Sequence, residues 1–158
     1  MDLVSTIEAE AQAQGVDPTL AVAVANQESG LNPSALGSSG EIGLFQLMPA
    51  TAASLGVDPS DVSQNIQGGI RYLKEQLSTF GDTAQALAAY NWGPLNVTQA
   101  VAAYGGDWLE NAPASVQAYV ESITEACGGA LPGAGGWPSW AMWGGAAAGA
   151  AALLYVLA

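Results

Sequence analysis

The chain has 158 residues, half of them hydrophobic, with fourteen acidic residues against only two basic ones and a net charge of −12. That is enough for one domain with its own core, and too little for two ordinary ones. So acidic a balance excludes nucleic acid as a partner, because neutralising phosphates takes Lys and Arg; the absence of histidine removes the commonest general base, the Ser-His and Cys-His nucleophile systems and most zinc sites.

In chain order, Asp2 is placed to cap a first helix with Leu3, Ile7 and Ala11 on one face, stopped at Gly15. The segment Met1 to Glu10 carries acid and no base, which does not read as a secretory signal. Asp17-Pro18 opens a second helix that runs to about Ser29, where Gly30 and Asn32-Pro33 end it. Residues 30–43, rich in Gly and Ser, predict a loop with room for a short hairpin. Pro49 starts a short helix to Leu55. Ile66, Ile70, Leu73, Leu77 and Phe80 give the strongest helical periodicity, closed by Gly81. Further helices are expected over Thr83–Trp92, Pro94 to about Ala103, and Pro113–Cys127.

Cys127 is the single cysteine, so no intrachain disulfide can form. It continues a stripe of Val116, Tyr119, Val120 and Ile123, which predicts a buried structural thiol. From residue 126 to the end there is no charge. The Gly- and Pro-rich stretch 128–139 reads as a linker, which divides the chain into a globular domain 1–127, the linker, and a hydrophobic helix 140–158. At about 1.5 Å per residue that helix spans roughly 28 Å, close to a bilayer core. Trp137, Trp140 and Trp143 at one end and Tyr155 near the other stand where interfacial anchors would. The expectation is a membrane-inserting segment; the alternative is docking on another protein, such as a virion component.

Glu28 is the residue that points to chemistry. On the second helix it shares a face with Ala21 and Val24, with Leu20 beside them. A carboxyl that extends an apolar stripe is desolvated and holds its proton towards neutral pH, as a general acid requires. The competing possibility is a solvated Glu near a helix end.

Sequence context decides between them. Glu28-Ser29-Gly30-Leu31-Asn32-Pro33 is followed by Gly40-Glu41-Ile42-Gly43-Leu44-Phe45-Gln46-Leu47-Met48-Pro49, then by Asn65-Ile66, Gly69, Tyr72-Leu73 and Phe80-Gly81-Asp82, then by Ala86 to Pro94 with Tyr90-Asn91-Trp92 at its centre. Pro113 with Tyr119-Val120 forms a fainter fourth block. This ordered set, over about residues 18–123, resembles the soluble lytic transglycosylase family, relatives of goose-type lysozyme. The resemblance implies a mainly α, lysozyme-like catalytic domain of the α+β lysozyme superfamily, acting on peptidoglycan without cofactor or metal. It puts Glu28 in the place of the catalytic acid and base. Ser29, next to it in the motif, is a further candidate for substrate binding, and Gln46 takes the place of a residue on the cleft floor that binds sugar amide or hydroxyl groups. Tyr90 and Asn91 take the place of a pair that positions the acid and the N-acetyl group. The chain departs from the family pattern at Gly37, where a serine is common, at Glu41, where Ala is frequent, and at Trp92, where a small residue is usual. Glu41 is a candidate second cleft carboxylate or a solvated loop charge, and Trp92 a sugar-stacking platform or core. Ser115 stands where Glu is frequent.

The resemblance implies cleavage of the bond between N-acetylmuramic acid and N-acetylglucosamine with a 1,6-anhydro product. Hydrolysis on the same fold, with Glu41 holding a water, and a non-catalytic peptidoglycan-binding role are the alternatives. A small catalytic domain with a hydrophobic tail and no secretory signal is expected at a virion or membrane facing the wall, opening it during phage genome delivery; a released lysis enzyme is the alternative.

Overall fold

The computed structural model of the chain describes residues 2–133. The expected helix 140–158 lies outside the described residues, as does the second half of the 128–139 stretch. The described residues form seven α-helices: α1 Leu3–Gln14, α2 Pro18–Ser29, α3 Pro49–Leu55, α4 Val62–Phe80, α5 Thr83–Trp92, α6 Pro94–Tyr104 and α7 Ala114–Ala126. A 3-10 turn, Gly105–Asp107, follows α6. No β-strand occurs among the described residues; the β part expected of an α+β fold is reduced to two antiparallel bridges, Leu36 with Ile42 and Ile42 with Leu47. Neither of the two basic residues lies on this loop, and its turns are held by side chains rather than by a sheet.

Four helices start on an aspartate. Asp2, Asp17, Asp61 and Asp82 accept from the backbone N–H of Val4, Leu20, Gln64 and Gln85 at 3.2, 3.0, 2.9 and 2.8 Å. A carboxylate there satisfies an orphan donor and faces the positive end of the helix. Part of the chain's acidity is therefore structural.

The long helix α4 is the spine. Ile66, Ile70, Leu73 and Leu77 are buried along one stripe, and α4 packs on α1, α3 and α5. Helix α5, built on Ala86, Leu87, Ala88 and Ala89, is buried on nearly every side between α4, α6 and α7. Its small side chains let three helices approach it. Helix α2 packs against α1 and α7 through Leu20, Ala21, Val24 and Ala25, all 1% exposed or less. Trp108 and Ala112, after α6, are also buried; they lie in an irregular segment where no periodicity announces them.

The folded unit runs past residue 127. Gly128 and Gly129, at φ +85° and +86°, end α7 through bonds to the carbonyls of Glu125 and Thr124. The chain then returns to the domain. The Thr83 hydroxyl donates to the Pro132 carbonyl at 2.6 Å, and Leu131 packs on the core. Composition reads these glycines as linker; their backbone use is a helix stop and a reversal. Cys127 is half-buried rather than enclosed. Burial, with the charge of Asp17 nearby, pushes its thiol up, so it stays protonated and unreactive.

Candidate active site

Glu28 lies one residue before the end of α2, whose apolar face buries Ala21 and Val24. The helix face carries the carboxyl to the edge of the core, and it is half-buried there. Across from it, the Tyr119 hydroxyl donates to Glu28 Oε1 at 2.6 Å. Tyr119 sits on α7, itself buried with Val116, Val120 and Ile123, so the phenol is held from behind. One residue along α2, Gln27 Oε1 accepts from Ser122 of α7 at 2.7 Å. Two bonds thus tie the end of α2 to α7.

Glu28 is raised from an ordinary value of 4.5 to about 7. Desolvation is the main cause. The hydrogen bond from Tyr119 acts the other way, stabilising the carboxylate, and the negative charge of Glu41 adds to the rise. Near neutrality this carboxyl is therefore close to half protonated, as a group that must first give and then take a proton requires. Burial beside Glu28 pushes Tyr119 well above the usual phenol range, so it remains a donor.

The loop 30–47 follows α2, and a set of side-chain bonds sets its shape. Ser29 Oγ donates to the carbonyls of Ala25 and Leu44, at 3.1 and 2.9 Å, and accepts from Asn32 N–H. Its one hydroxyl proton goes to backbone, so Ser29 fastens the loop to α2. The Asn65 amide does the same from α4. Its Oδ1 accepts from Phe45 N–H at 2.9 Å, while Nδ2 donates to the carbonyls of Ile42 and Pro59 at 2.8 and 2.9 Å. Asn65 is 1% exposed. The turn also needs glycine at two places. A β-carbon on Gly69 would collide with the Phe45 ring, and one on Gly43, at φ +79°, with the Asn65 amide. Close approach of α4 to the turn depends on both.

Gln46 has φ +46°, a left-handed conformation that costs a non-glycine residue energy and persists because its surroundings fix it. Its Nε2 donates to the carbonyls of Gly43 and Ala35, at 2.8 and 3.3 Å. The amide is thereby oriented with its oxygen free to accept. Leu31, at φ +60°, is the other non-glycine residue in this region, and it too belongs to the loop.

Tyr90 and Asn91 stand at the end of α5. The Tyr90 hydroxyl donates to the Phe45 carbonyl at 2.8 Å, and its ring meets Tyr72 at 5.1 Å between centroids. The family resemblance gave Tyr90 the task of positioning Glu28. In this chain its hydrogen goes to the turn, and Tyr119 is the residue that holds the acid. Tyr90 still lies close enough to feel the charge of Glu28. Asn91 is exposed, and Trp92 is half-buried against the core. Glu41 is half-exposed on the loop, its Oε2 accepting from Ser39 N–H at 2.9 Å. Tyr119 and Asn65 carry no task that the sequence alone reveals; only the fold shows what they touch.

A carboxyl at the rim of an apolar core that keeps its proton towards neutral pH is the arrangement of the general acid in lysozyme-like glycan-cleaving enzymes. The transglycosylase SLT domain profile matches residues 5–108, and the chain belongs to that family. It is 46% identical over 89 residues to a transglycosylase of Enterobacteria phage PRD1, covering 56% of this chain and 34% of that protein. It is 38% identical over 101 residues to membrane-bound lytic murein transglycosylase F of Klebsiella pneumoniae, covering 59% of this chain and 20% of that one. The chain thus spans about a third or less of these relatives. Among solved structures it resembles the 70 kDa soluble lytic transglycosylase SLT70 of Escherichia coli, with a TM-score of 0.71, 27% identity, and 77% of this chain and 23% of that one covered. An inactive mutant of lytic transglycosylase Slt from Pseudomonas aeruginosa gives a TM-score of 0.67 at 26% identity, over 81% of this chain and 25% of that one.

Proposed function

We propose that the chain is a peptidoglycan lytic transglycosylase that cleaves the β-1,4 bond between N-acetylmuramic acid and N-acetylglucosamine. The observation that carries this is Glu28, raised to about 7 by desolvation and fixed by Tyr119. Tyr119 occupies Oε1, which leaves the other carboxyl oxygen to carry the proton. Glu28 gives that proton to the glycosidic oxygen as the bond to C1 breaks, and the substrate's own N-acetyl oxygen stabilises the positive charge that develops. Substrate assistance of this kind replaces the second carboxylate of ordinary glycosidases. Glu28, now a base, takes the proton of the muramyl C6 hydroxyl while O6 bonds to C1. The product is a 1,6-anhydro ring, no water is consumed, and the acid is restored.

Gln46, Asn91, Trp92 and Glu41 are the residues we assign to substrate, with Tyr90 supporting the turn that carries Gln46. The phage relative supports a setting in a virion that opens the wall during genome delivery. The expected membrane or virion contact through residues 140–158 belongs to the same proposal; no helix among the described residues is long and apolar enough to cross a membrane. Mass spectrometry of muropeptides after digestion tests the chemistry. Anhydro-muramyl ends are expected from the native chain and far fewer from Glu28→Gln; reducing ends alone would mean hydrolysis, and an inert, well-folded protein would mean a binding role.

A further inference from the structure

At the end of α2 away from Glu28, a cavity of about 310 Å³ opens between the start of that helix, the end of α7 and the returning chain. It is lined by Asp17, Thr19, Cys127, Ala130, Leu131 and Pro132. Most of helix α2, roughly 16 Å at its ordinary rise, separates Asp17 from Glu28, so this cavity stands apart from the catalytic carboxyl. Its walls are fixed. The Thr83 hydroxyl holds the Pro132 carbonyl at 2.6 Å, Gly129 N–H donates to the Thr124 carbonyl at 3.0 Å, and Leu131 packs on the core. Cys127, Ala130, Leu131 and Pro132 present neutral and largely apolar surface, and the one charge on the lining is the Asp17 carboxylate. Oδ1 of that carboxylate accepts from Leu20 N–H at 3.0 Å to start α2, which leaves Oδ2 to other partners. The chain's only basic residues, Arg71 and Lys74, are both on α4, and neither lines the cavity. Asp17 therefore meets the cavity without a counter-ion from its own chain.

We propose that this cavity binds a lysine-type side chain of a partner polypeptide, its aliphatic stem against Leu131 and Pro132 and its ammonium on Asp17. Such a side chain has the two parts that the lining asks for, since lysine buries its stem along apolar surface and keeps a charged head at a polar rim. Charge selects a cation. An anion, which the start of a helix would otherwise attract, is excluded because the Asp17 carboxylate already occupies that place. The number of free oxygens selects ammonium over guanidinium. A guanidinium pairs best with both oxygens of a carboxylate at once, and one of these is engaged with Leu20; an ammonium is a point charge that needs only the other. The Thr19 hydroxyl, also on the lining, is a second acceptor for its three hydrogens.

The test is calorimetric titration of the full chain with Nα-acetyl-lysine methylamide and with its norleucine and arginine counterparts. Norleucine keeps the stem and lacks the ammonium; arginine keeps the charge and changes its shape. The lysine compound is expected to bind at millimolar concentration, and each of the others about tenfold more weakly, the range of a charge-assisted bond. Two variants place the site. Asp17→Asn retains an oxygen to cap α2, since asparagine caps as well as aspartate, so it should fold, and thermal melts check this. It should weaken lysine binding by about tenfold. Glu8→Gln removes the same charge from the exposed side of α1 and should bind as the native chain does. Lysine binding that is absent from the native chain, matched by the norleucine or arginine compound, unchanged in Asp17→Asn, or equally weakened by Glu8→Gln overturns the site. None of these outcomes bears on the cleavage chemistry, which muropeptide analysis tests separately.

Discussion

Tyr119 Oη stands 2.6 Å from Glu28 Oε1, joining two helices 91 residues apart in sequence. This bond favours the carboxylate, and desolvation of Glu28 works against it and wins. Removing the hydroxyl therefore leaves desolvation and the charge of Glu41 with nothing opposing them. In Tyr119→Phe the proton affinity of Glu28 should rise above its value of about 7, and the alkaline limb of the pH–rate profile should move to higher pH. The rate on the plateau should drop several-fold because the carboxyl loses its fixed orientation. A limb that shifts towards acid, or does not move, would mean that Tyr119 does not govern the proton of Glu28.

Glu28→Gln should abolish most turnover, by a factor on the order of 10² or more, as expected for loss of a general acid. Its effect on stability has a definite sign. Glu28 holds its proton more tightly folded, at about 7, than unfolded, near 4.5. Below about 4.5 both states are protonated and burial of the carboxyl is tolerated; as pH rises to 7 the unfolded chain sheds the proton first, and stability falls. The amide never ionises. The variant should therefore be more stable than the native chain above pH 7, by on the order of 1–3 kcal/mol, with the difference vanishing below pH 4.5. Denaturant titrations at pH 4 and pH 8 measure it. Equal stability at both would show that Glu28 is not desolvated in the folded protein.

Asn65 is buried and holds the turn at Phe45 from α4. Asn65→Ala leaves Phe45 N–H and the carbonyls of Ile42 and Pro59 without their partner. Buried and unpaired, these groups should lower stability by roughly 3 kcal/mol, and the turn that carries Gln46 should lose its shape. Asn65→Asp tests the geometry separately. It can still accept from Phe45, but it faces two carbonyls with an acceptor, so it should be nearly as damaging. An aspartate variant as stable as the native chain would mean that the two donations contribute little.

Much of the helical scaffold could be read directly from sequence, because each helix carries its own start, stripe and stop. Asp17-Pro18 and Gly30 frame α2, and the 66–80 stripe is α4. The loop 30–47 could not be read this way. Its bonds run from Ser29, Asn65 and Tyr90 to backbone atoms far along the chain, and a backbone acceptor has no residue type to recognise. Glu28 was legible because its apolar neighbours are local. Its partner Tyr119 was not, since a tyrosine on an apolar stripe looks like core until the helix opposite is known. The stretch after α7 is hard to read for a related reason. Gly128 and Gly129 look like linker in composition, yet at positive φ they serve to turn the chain back.

That turn gives the last prediction, which concerns where the chain can be cut. Residues 128–133 look dispensable by composition, but Leu131 packs on the core and Pro132 accepts from Thr83. A chain ending at residue 133 should keep the melting temperature and wall activity of the full protein. One ending at 127 loses an apolar contact and a hydrogen bond, and should be less stable by roughly 2 kcal/mol. Thr83→Val separates the two contributions. In the longer chain it should remove only the hydrogen-bond share, about 1 kcal/mol; in the chain ending at 127 it should cost nothing, because its acceptor is already gone. Flotation with liposomes completes the comparison. Association that is present in the full chain and lost on cutting at 133, with activity intact, is the expected result if residues 140–158 insert into membranes. If the full chain does not float, the tail is a docking element for protein. If both truncations melt together at the native temperature, the return of the chain at Gly128 adds nothing to the fold.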